Sequence, residues 1–159
     1  MAKTNLDRID RKILDTLQAD GRLSNVDLAE RVALSPSPCL RRVKRLEEDG
    51  VITGYRAVLD RKALGLGLTV FIEIKAGKHN RDNAAALQKA LLEFPEIVSC
   101  HVVSGSADFL CEVVVPDLES YERLMMDKLL ALPNIEDIRS FFAIRTVKTG
   151  APLPLTHLA

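Results

Sequence analysis

LSPSPCLRRVKRL, residues Leu34–Leu46, places two prolines at the entrance of a strongly basic helical segment. Proline has no backbone N–H to donate, but the first N–H groups of a helix have no partner inside the helix in any case. Pro36 therefore predicts the first helical position, with Ser35 before it as the capping residue. Pro38 still falls in the first turn, and Gly50 predicts where the helix stops. The stretch indicates a helix with a rigid, sharply defined beginning.

The charged and apolar residues of this helix separate onto opposite faces at 100° per residue. The apolar arc is expected to face the core and holds Cys39, Leu40, Val43 and Leu46. The opposite arc, with Arg42 at its border, is expected to face solvent and holds Ser37, Arg41, Lys44 and Arg45. A charge run of this kind is often only a solvated surface, so its context decides its function.

Two shorter helices and an alternating segment provide that context. The first helix has apolar residues at helical spacing, at Leu6, Ile9, Ile13, Leu14 and Leu17. Ser24 or Asn25 is placed to cap the second helix, whose apolar positions are Val26, Leu28, Ala29 and Val32. Residues 51–60, VITGYRAVLD, alternate and predict a short strand or hairpin. Three helices and this wing predict a winged helix-turn-helix over residues 1–62.

The helix-turn-helix geometry assigns DNA-binding roles to individual side chains. Residues near the start of the recognition helix reach base edges, so Ser37 and Arg41 are predicted to read bases, with Arg42 as a flanking contact. Phosphate contacts are predicted for Lys44, Arg45 and Arg56. Arg61 and Lys62 add positive charge beyond the wing. The capped helix start, Ser35 and Pro38, completes the surface, because backbone N–H groups there can meet a phosphate.

Asp10 lies in the apolar arc of the first helix, where a lone carboxylate would be costly to bury. We therefore expect it to pair with Arg42 or Arg45, and Arg42 is favoured. The role of this pair would be structural.

From Leu68 the hydrophobic period changes from helical spacing to two, which predicts a second domain. The predicted order is a strand from residue 68, a helix over 83–94, strands over 97–104 and 109–115, a helix over 118–132 and a strand over 135–148. This βαββαβ order is ferredoxin-like, so the overall class is α+β. Residues 63–67 are the predicted hinge, and residues 149–159 form a proline-rich tail expected to lie extended on a neighbouring subunit or to stay mobile.

One face of the predicted four-stranded sheet lacks a covering helix, yet it carries apolar residues at Val103, Leu110, Val114 and Phe141. This predicts a dimer or a larger assembly that stacks sheets.

The charge distribution agrees with a polyanion contact in the first part of the chain only. Residues 1–65 hold 13 Lys and Arg against 10 Asp and Glu, whereas residues 66–159 hold 9 Lys and Arg against 12 Asp and Glu.

The cysteine pattern and the hydropathy argue against disulfides, metal sites and membrane spans. Three cysteines without a CxxC pair predict neither a disulfide framework nor a metal site, and Cys100 and Cys111 are expected to be small buried residues. No apolar run is long enough to span a membrane, so a cytoplasmic protein with no membrane partner is expected.

The two halves together resemble the Lrp/AsnC family of transcription regulators. The resemblance covers about residues 5–148, through LDRIDRKILDTLQADGRLSNVDLAERVALSPSPCLRRVKRLEEDGVITGYRAVLD and then FPEIVSCHVVSGSADFLCEVVVPDLESYERLMMDKLLALPNIEDIRSFFAIRTVK. It implies a sequence-specific regulator that binds double-stranded DNA, forms homodimers and often octamers, and responds to an amino acid bound between dimers. It implies no cofactor.

The resemblance also implies an effector site near the turn Gly105-Ser106-Ala107-Asp108. Glycine lets the backbone approach a small zwitterion, turn N–H groups can hold its carboxylate, and Asp108 can hold its ammonium. Further pocket or interface positions implied by relatives are Val102, Leu118, Ser140, Phe141 and Phe142. The spacing alone is equally typical of an ordinary hairpin turn.

Two other functions stay open on the sequence. Sirohaem decarboxylases resemble the same two-domain fold, although their chemistry does not require a basic helix. An architectural DNA-compacting protein would bind DNA with little sequence discrimination and without an effector. Phosphate-binding loops, nucleophile elbows and dinucleotide fingerprints are absent from the sequence, so we expect no enzyme.

Overall fold

The computed structural model describes residues 5–77 and 81–158, which form two compact units. The first unit contains residues 5–58 together with 148–158, and the second contains residues 59–147. The predicted hinge, residues 63–67, lies inside the second unit. The tail, which was expected on a neighbour or mobile, packs instead in the first unit.

The first unit contains helices α1 (Arg8–Ala19), α2 (Asn25–Val32) and α3 (Pro36–Glu48). Each begins where a short polar residue precedes it: Asp7 closes a capping box on α1, and the Ser24 side chain accepts from the Asp27 N–H at the start of α2. The α3 helix ends as Gly50 predicts, with φ +69° at that glycine and a bond from the Val51 N–H to the Leu46 carbonyl. The three helices bury a common core of Ile13, Leu14, Leu28, Ala29, Val32, Cys39 and Leu46.

The predicted strand or hairpin over residues 51–60 is wrong. Residues 53–58 lie in no helix or strand, and none of their backbone groups is paired with another backbone group in the described chain. Val51 and Ile52 use their N–H groups to close the end of α3. Gly54, at φ +151°, further interrupts an extended course. In the described chain, the wing segment, residues 51–58, is therefore not part of a β-ladder.

The second unit is built on one antiparallel sheet with the order β2-β3-β1-β4. Its strands are β1 (Leu68–Ala76), β2 (Ile97–Val102), β3 (Phe109–Val115) and β4 (Ile135–Phe142). Helix α4 (Arg81–Leu92) follows β1, and α5 (Leu118–Arg123) continues as a π-helical turn, Leu124–Leu129. This is the predicted ferredoxin-like βαββαβ order, although β2 and β4 are shorter than predicted and α4 begins and ends two residues earlier.

The π-helical turn explains why the predicted helix over 118–132 is interrupted. Leu124 and Leu129 are five residues apart and both are buried in the core of the second unit. In an α-helix that spacing would place them about 140° apart, whereas the wider π turn brings them closer to one face. Burial of both leucines therefore favours the irregular turn.

The sheet has a core face and an open face. Val70, Ile72 and Ile74 of β1 are fully buried on the core face. Phe71 lies on the opposite face and is paired in register with Phe141 of β4; their side chains are 40% and 50% exposed. Among the predicted open-face residues, Leu110 is half-buried and Val114 is buried, while Val103 lies beyond the end of β2. The Phe71–Phe141 pair is thus the apolar centre of the open face.

In the part of the chain that the structure describes, no helix combines the length and apolar character that a bilayer crossing requires.

Candidate functional site

The start of α3 is fixed by backbone geometry and by a neighbouring side chain. Ser35 occupies the N-cap position with extended φ and ψ, and Pro36 follows at the first position, as predicted. The Ser35 side chain, however, makes no capping hydrogen bond. Asn25 of α2 instead donates from Nδ2 to the Pro36 carbonyl at 2.9 Å, which ties α2 to the entrance of α3. Pro38 is half-buried in this first turn.

The faces of α3 follow the predicted division with one exception. Cys39 and Leu46 are fully buried and Val43 is half-buried, but the side chain of Leu40 is 43% exposed. Leu40 lies about 90° from the middle of the arc that Cys39, Val43 and Leu46 define, so its predicted place in the core is wrong. The exposed residues on this helix include the predicted contacts Ser37, Arg41, Lys44 and Arg45.

Asp10 is fully buried and is the centre of an ion-pair cluster between α1 and α3. Its carboxylate accepts hydrogen bonds from Arg42 Nη1 at 2.8 Å, from Arg45 Nη2, and from the Asp7 N–H at 3.2 Å. Arg42 Nη1 also lies 2.7 Å from Asp7 Oδ2. Asp10 therefore pairs with both arginines, whereas the sequence predicted a pair with only one of them.

The electrostatics of the cluster follow from these contacts. Hydrogen bonds to Asp10 and then to Asp7 raise the pKa of the Arg42 guanidinium. The Asp10 N–H and the Arg42 guanidinium hold the pKa of Asp7 below its usual value, against the opposing effect of desolvation. Because Arg42 and Arg45 are both bound to Asp10, they serve the packing of α1 on α3, and their predicted DNA contacts would have to coexist with these bonds.

Three of the predicted DNA contacts form no ion pair in the described part of the chain and define the candidate nucleic-acid surface. Within the described ranges, Arg41, Lys44 and Arg56 form no ion pair with a carboxylate. All three are exposed, Arg41 and Lys44 on α3 and Arg56 on the wing segment. Arg61 does not extend this surface, because its Nη1 donates to Glu112 Oε1 at 2.7 Å in the second unit.

The turn that joins β2 to β3, residues 103–108, is anchored to the end of β1. The Val103 N–H donates to the Asp108 carbonyl, and the Asp108 N–H donates to the Ile74 carbonyl, each at 3.0 Å. The Asp108 side chain accepts from the Ala76 N–H at 2.8 Å, beside a register shift between β1 and β4. Gly105 has φ +127°, a conformation that L side chains rarely adopt, and a Cβ there would meet nothing within 4 Å. Ser106 is exposed and Ala107 is half-buried.

Val102 adjoins this turn, but within one chain the structure places Leu118, Ser140 and Phe141 away from it. Val102 ends the edge strand β2 and its side chain is 72% exposed, while Leu118 begins α5 and is 62% exposed. Ser140 and Phe141 lie on β4, the opposite edge of the sheet, three strand spacings of about 4.8 Å from β2. Successive residues of a strand point to opposite faces, so Ser140 faces the core side with Ile72 and Phe141 the open side.

Tyr121 was not singled out by the sequence as a partner of this region, only as an inward position of its helix. Its Oη lies 2.6 Å from Ser140 Oγ, and its ring meets Phe142 edge to face at 5.4 Å between centroids. Burial raises the pKa of the Tyr121 hydroxyl, and the Ser140 hydrogen bond partly opposes that shift. Ser140 is thus hydrogen-bonded to a buried tyrosine and is itself half-buried.

Cys100 and Cys111 face each other across β2 and β3 on the core side, with their sulfurs 3.3 Å apart. His101 alternates to the opposite face, where it pairs in register with Leu110. Among the described residues, no group of three or more His, Cys, Asp and Glu side chains is placed to hold a metal ion.

Comparison with known families matches both parts of the chain. The family described as winged helix-turn-helix DNA-binding matches residues 6–53, and the family described as the Lrp/AsnC ligand binding domain matches residues 69–153. Together these matches cover both the α3 surface and the turn before β3.

Relatives and solved structures are similar over nearly the whole chain. The leucine-responsive regulatory proteins of Klebsiella pneumoniae and of Escherichia coli K12 are each 46% identical over 144 residues, which is 91% of this chain and 88% of the relative. A transcriptional regulator from Neisseria meningitidis, solved in complex with L-methionine, superposes with a TM-score of 0.92 at 39% identity, covering 97% of this chain and 99% of that one. An AsnC family regulator from Agrobacterium tumefaciens gives a TM-score of 0.92 at 38% identity, covering 97% and 100%.

Proposed function

The chain belongs to the Lrp/AsnC family of transcriptional regulators, a DNA-binding family that responds to amino acids. On this premise we propose which of its residues bind DNA and which bind the effector. Arg41 and Ser37 read bases, Lys44 and Arg56 contact phosphate, and the turn Gly105–Asp108 holds the amino group and carboxylate of an amino-acid effector. The observation that carries this assignment is the Asp10 cluster, because it binds Arg42 and Arg45 to a buried carboxylate, whereas Arg41 and Lys44 are exposed and form no ion pair in the described chain.

The DNA-binding half of the proposal is supported by charge and by exposure. A recognition helix reads bases with residues of its first turns, and arginine can donate two hydrogen bonds to guanine O6 and N7. Arg41 is five residues beyond the helix start and points away from the buried Cys39 and Leu46. Lys44 is one turn further along, where the helix is expected to leave the bases and approach the phosphates.

Arg41→Ala and Lys44→Ala separate base reading from phosphate contact. We expect Arg41→Ala to weaken binding to a selected operator by about 1–3 kcal/mol, while binding to random duplex changes much less. Lys44→Ala should weaken both duplexes equally and lower the slope of log K against log salt by about 1. Fluorescence anisotropy over a salt series, on an operator obtained by in vitro selection, measures both effects. Equal losses on the two duplexes for Arg41→Ala would place that residue among the phosphate contacts.

The effector half of the proposal is supported by the turn before β3. Its backbone is fixed to β1, and Gly105 leaves open space above it. Asp108 supplies a carboxylate at its base. Relatives are named for their response to leucine, and one similar structure holds L-methionine, so we infer an apolar amino acid as the effector. A thermal-shift screen of the twenty amino acids tests this, and no shift with any of them would contradict it.

The two edges of the sheet suggest that the effector site is shared between subunits. Val102 and Phe141 lie on strands that are about 14 Å apart across the sheet of one chain, and Phe141 is three residues further along its strand, so a small ligand at the turn cannot touch both. The exposed Phe71–Phe141 pair offers an apolar surface for sheet stacking. We infer a homodimer, with an octamer as the higher assembly, in which a second chain completes the pocket. Light scattering with and without the effector tests this assembly.

The alternatives are less well supported. No feature of the described part of the second unit calls for a catalytic or sirohaem-decarboxylase function, and we propose that the chain is not an enzyme. A purely architectural DNA-binding role would leave the fixed turn before β3 without a ligand. Equal affinity for selected and random duplex, together with indifference to amino acids, would favour the architectural role.

A further inference from the structure

Two of the three free cysteines, Cys100 and Cys111, lie directly opposite each other on neighbouring strands of the second unit. Their sulfurs are 3.3 Å apart, and the Cys111 thiol is placed to donate a hydrogen bond to the Cys100 sulfur. Cys111 is fully buried in the core, whereas Cys100 is half-buried on β2, an edge strand of the sheet. Two thiols in contact can be joined by a single two-electron oxidation.

The hydrogen bonds between β2 and β3 show which kind of cross-strand pair the two cysteines form. The Val103 N–H donates to the Asp108 carbonyl at 3.0 Å, and the Val114 N–H donates to the Glu96 carbonyl at 2.9 Å. Bonded and non-bonded residues alternate along an antiparallel pair, and each cysteine is three residues from one of these donors. Cys100 and Cys111 therefore form a non-hydrogen-bonded pair, in which the Cα atoms are about 4.5 Å apart.

This backbone spacing permits a disulfide but not a relaxed one. Disulfides join Cα atoms about 4.4–6.8 Å apart, so this pair lies at the short limit of the range. Strained disulfides are more easily reduced than structural ones and are typically regulatory. The cysteine pattern argues against a permanent disulfide framework, and a bond that forms and breaks with the redox state does not require one.

The two thiols differ in access and in acidity. Burial raises the pKa of the Cys111 thiol, and its hydrogen bond to Cys100 adds to the shift. Cys111 thus holds its proton, while the half-buried Cys100 is the sulfur that a small oxidant can reach. The third cysteine, Cys39, is fully buried in the first unit, where burial raises the pKa of its thiol as well.

We propose that Cys100 and Cys111 are a modification site, at which hydrogen peroxide forms a reversible disulfide that restrains the turn between β2 and β3. The Cys100 thiolate attacks one peroxide oxygen and becomes a sulfenic acid, and the other oxygen leaves as water. The Cys111 sulfur then attacks the sulfenic sulfur, and the hydroxyl leaves as a second water. In total two thiols lose two electrons and two protons, and one hydrogen peroxide is reduced to two waters.

The bond would close a ring around the whole turn. Residues 101–110 lie between the two cysteines, and residues 103–108 occupy the middle of that interval. Joining the ends of so short a loop removes conformational freedom from the residues inside it. The existence of the bond is independent of the proposed function, whereas its effect on the effector rests on that function.

Counting thiols with and without hydrogen peroxide tests the bond. Of the three thiols in the unaltered chain, peroxide is expected to leave one, at Cys39, and dithiothreitol should restore all three. After peroxide, Cys39→Ala should have no thiol, whereas Cys100→Ala should keep both of its two. Cleavage of the oxidised chain between Ala107 and Asp108 should give two peptides that only the disulfide holds together.

Cys111→Ala gives a second route if Cys100→Ala does not fold. It leaves Cys100 without its partner, so peroxide should produce a sulfenic acid that dimedone traps, in place of a disulfide within the chain. Circular dichroism confirms that each variant retains its secondary structure. Three thiols surviving peroxide in the unaltered chain, or a disulfide that includes Cys39 or joins two chains, would overturn the proposal.

Amide hydrogen exchange tests the restraint of the turn. We expect oxidation to slow exchange over residues 104–107 at least about threefold, because a closed ring opens less often. The loop before β4, residues 130–134, lies in the same unit outside the ring and should be unaffected. Unchanged exchange over residues 104–107, or equal slowing of both loops, would contradict the restraint.

Calorimetric titration with L-methionine tests the link to the effector site. A restrained loop loses less freedom when a ligand binds, so the oxidised chain should bind L-methionine at least about threefold more tightly than the reduced chain. Equal affinity in the two states would overturn this link. Absence of binding in both states would count against the apolar effector of the proposed function, while the thiol count would still decide whether the disulfide forms.

Discussion

Replacing Asp10 with alanine is expected to lower the melting temperature of the first unit by more than about 10 °C. Asp10 is fully buried, and three donors from Arg42, Arg45 and the Asp7 backbone converge on its carboxylate. Removing one member of a buried ionic cluster leaves its partners uncompensated, at a cost of about 3–5 kcal/mol. Both arginine side chains retain some exposure, at 29% and 43%, so we expect the lower end of that range. In a unit of this size each 1 kcal/mol shifts the melting temperature by about 4–8 °C.

Asp15→Ala is the matched control for that experiment. Asp15 lies on the same helix, and its carboxylate pairs with Arg11 at 3.7 Å, but both groups are partly exposed. Exposed pairs at this spacing contribute only about 0.3–0.5 kcal/mol, so this variant should melt within a few degrees of the unaltered protein. Amide exchange in α1 and α3, followed during heating, assigns the transition to the first unit. Similar melting of both variants would show that the Asp10 cluster is not a stabilising element.

Replacing Asp108 with asparagine is expected to abolish the response to the effector while leaving the fold and DNA binding intact. The Asp108 side chain has a structural role as well as the proposed one, because it accepts from the Ala76 N–H at 2.8 Å. Asparagine retains a carbonyl oxygen for that bond but loses the charge that would hold an ammonium group. The prediction is therefore a normal melting temperature together with loss of the effector's thermal shift, a loss of at least about tenfold in effector affinity.

Asp108→Ala supplies the comparison, because it removes both functions at once. It leaves the Ala76 N–H without its acceptor, which typically costs about 1–3 kcal/mol, so this variant should also melt at a lower temperature. DNA binding by the first unit should persist in both variants. Calorimetric titration with the amino acid found by screening measures the affinities. An undiminished affinity in Asp108→Asn would mean that another group holds the ammonium.

Local signals in the sequence were sufficient for most of the architecture. Pro36 marked the start of α3, Gly50 its end, and alternation from Leu68 marked the sheet unit, because each of these depends on backbone chemistry or on a short period. The burial of Asp10 against an arginine was also predictable, since a carboxylate in an apolar arc requires a partner.

The features that the sequence did not predict depend on tertiary contacts. An alternating segment such as residues 51–60 forms a strand only if another backbone is available to pair with it. The docking of residues 151–158 depends on Gln18, which is distant in sequence and shows no pattern that links it to the tail. The second bond of Asp10, to Arg45, and the exposure of Leu40 depend on how α1 and α3 are rotated against each other. Phe71 could have been found, because it occupies the alternate position between Val70 and Ile72.

The Asp10 cluster has a consequence for how the target sequences of such a regulator diverge in evolution. Substituting Arg42 or Arg45 disturbs a buried carboxylate, so those two positions are constrained by folding whatever bases they lie near. In the described structure Ser37 and Arg41 have no comparable attachment, so under the proposed base-reading role mutations there can be selected for a new target without first being compensated in α1. Shifts of promoter preference between descendants of this protein are therefore expected to concentrate at these two codons.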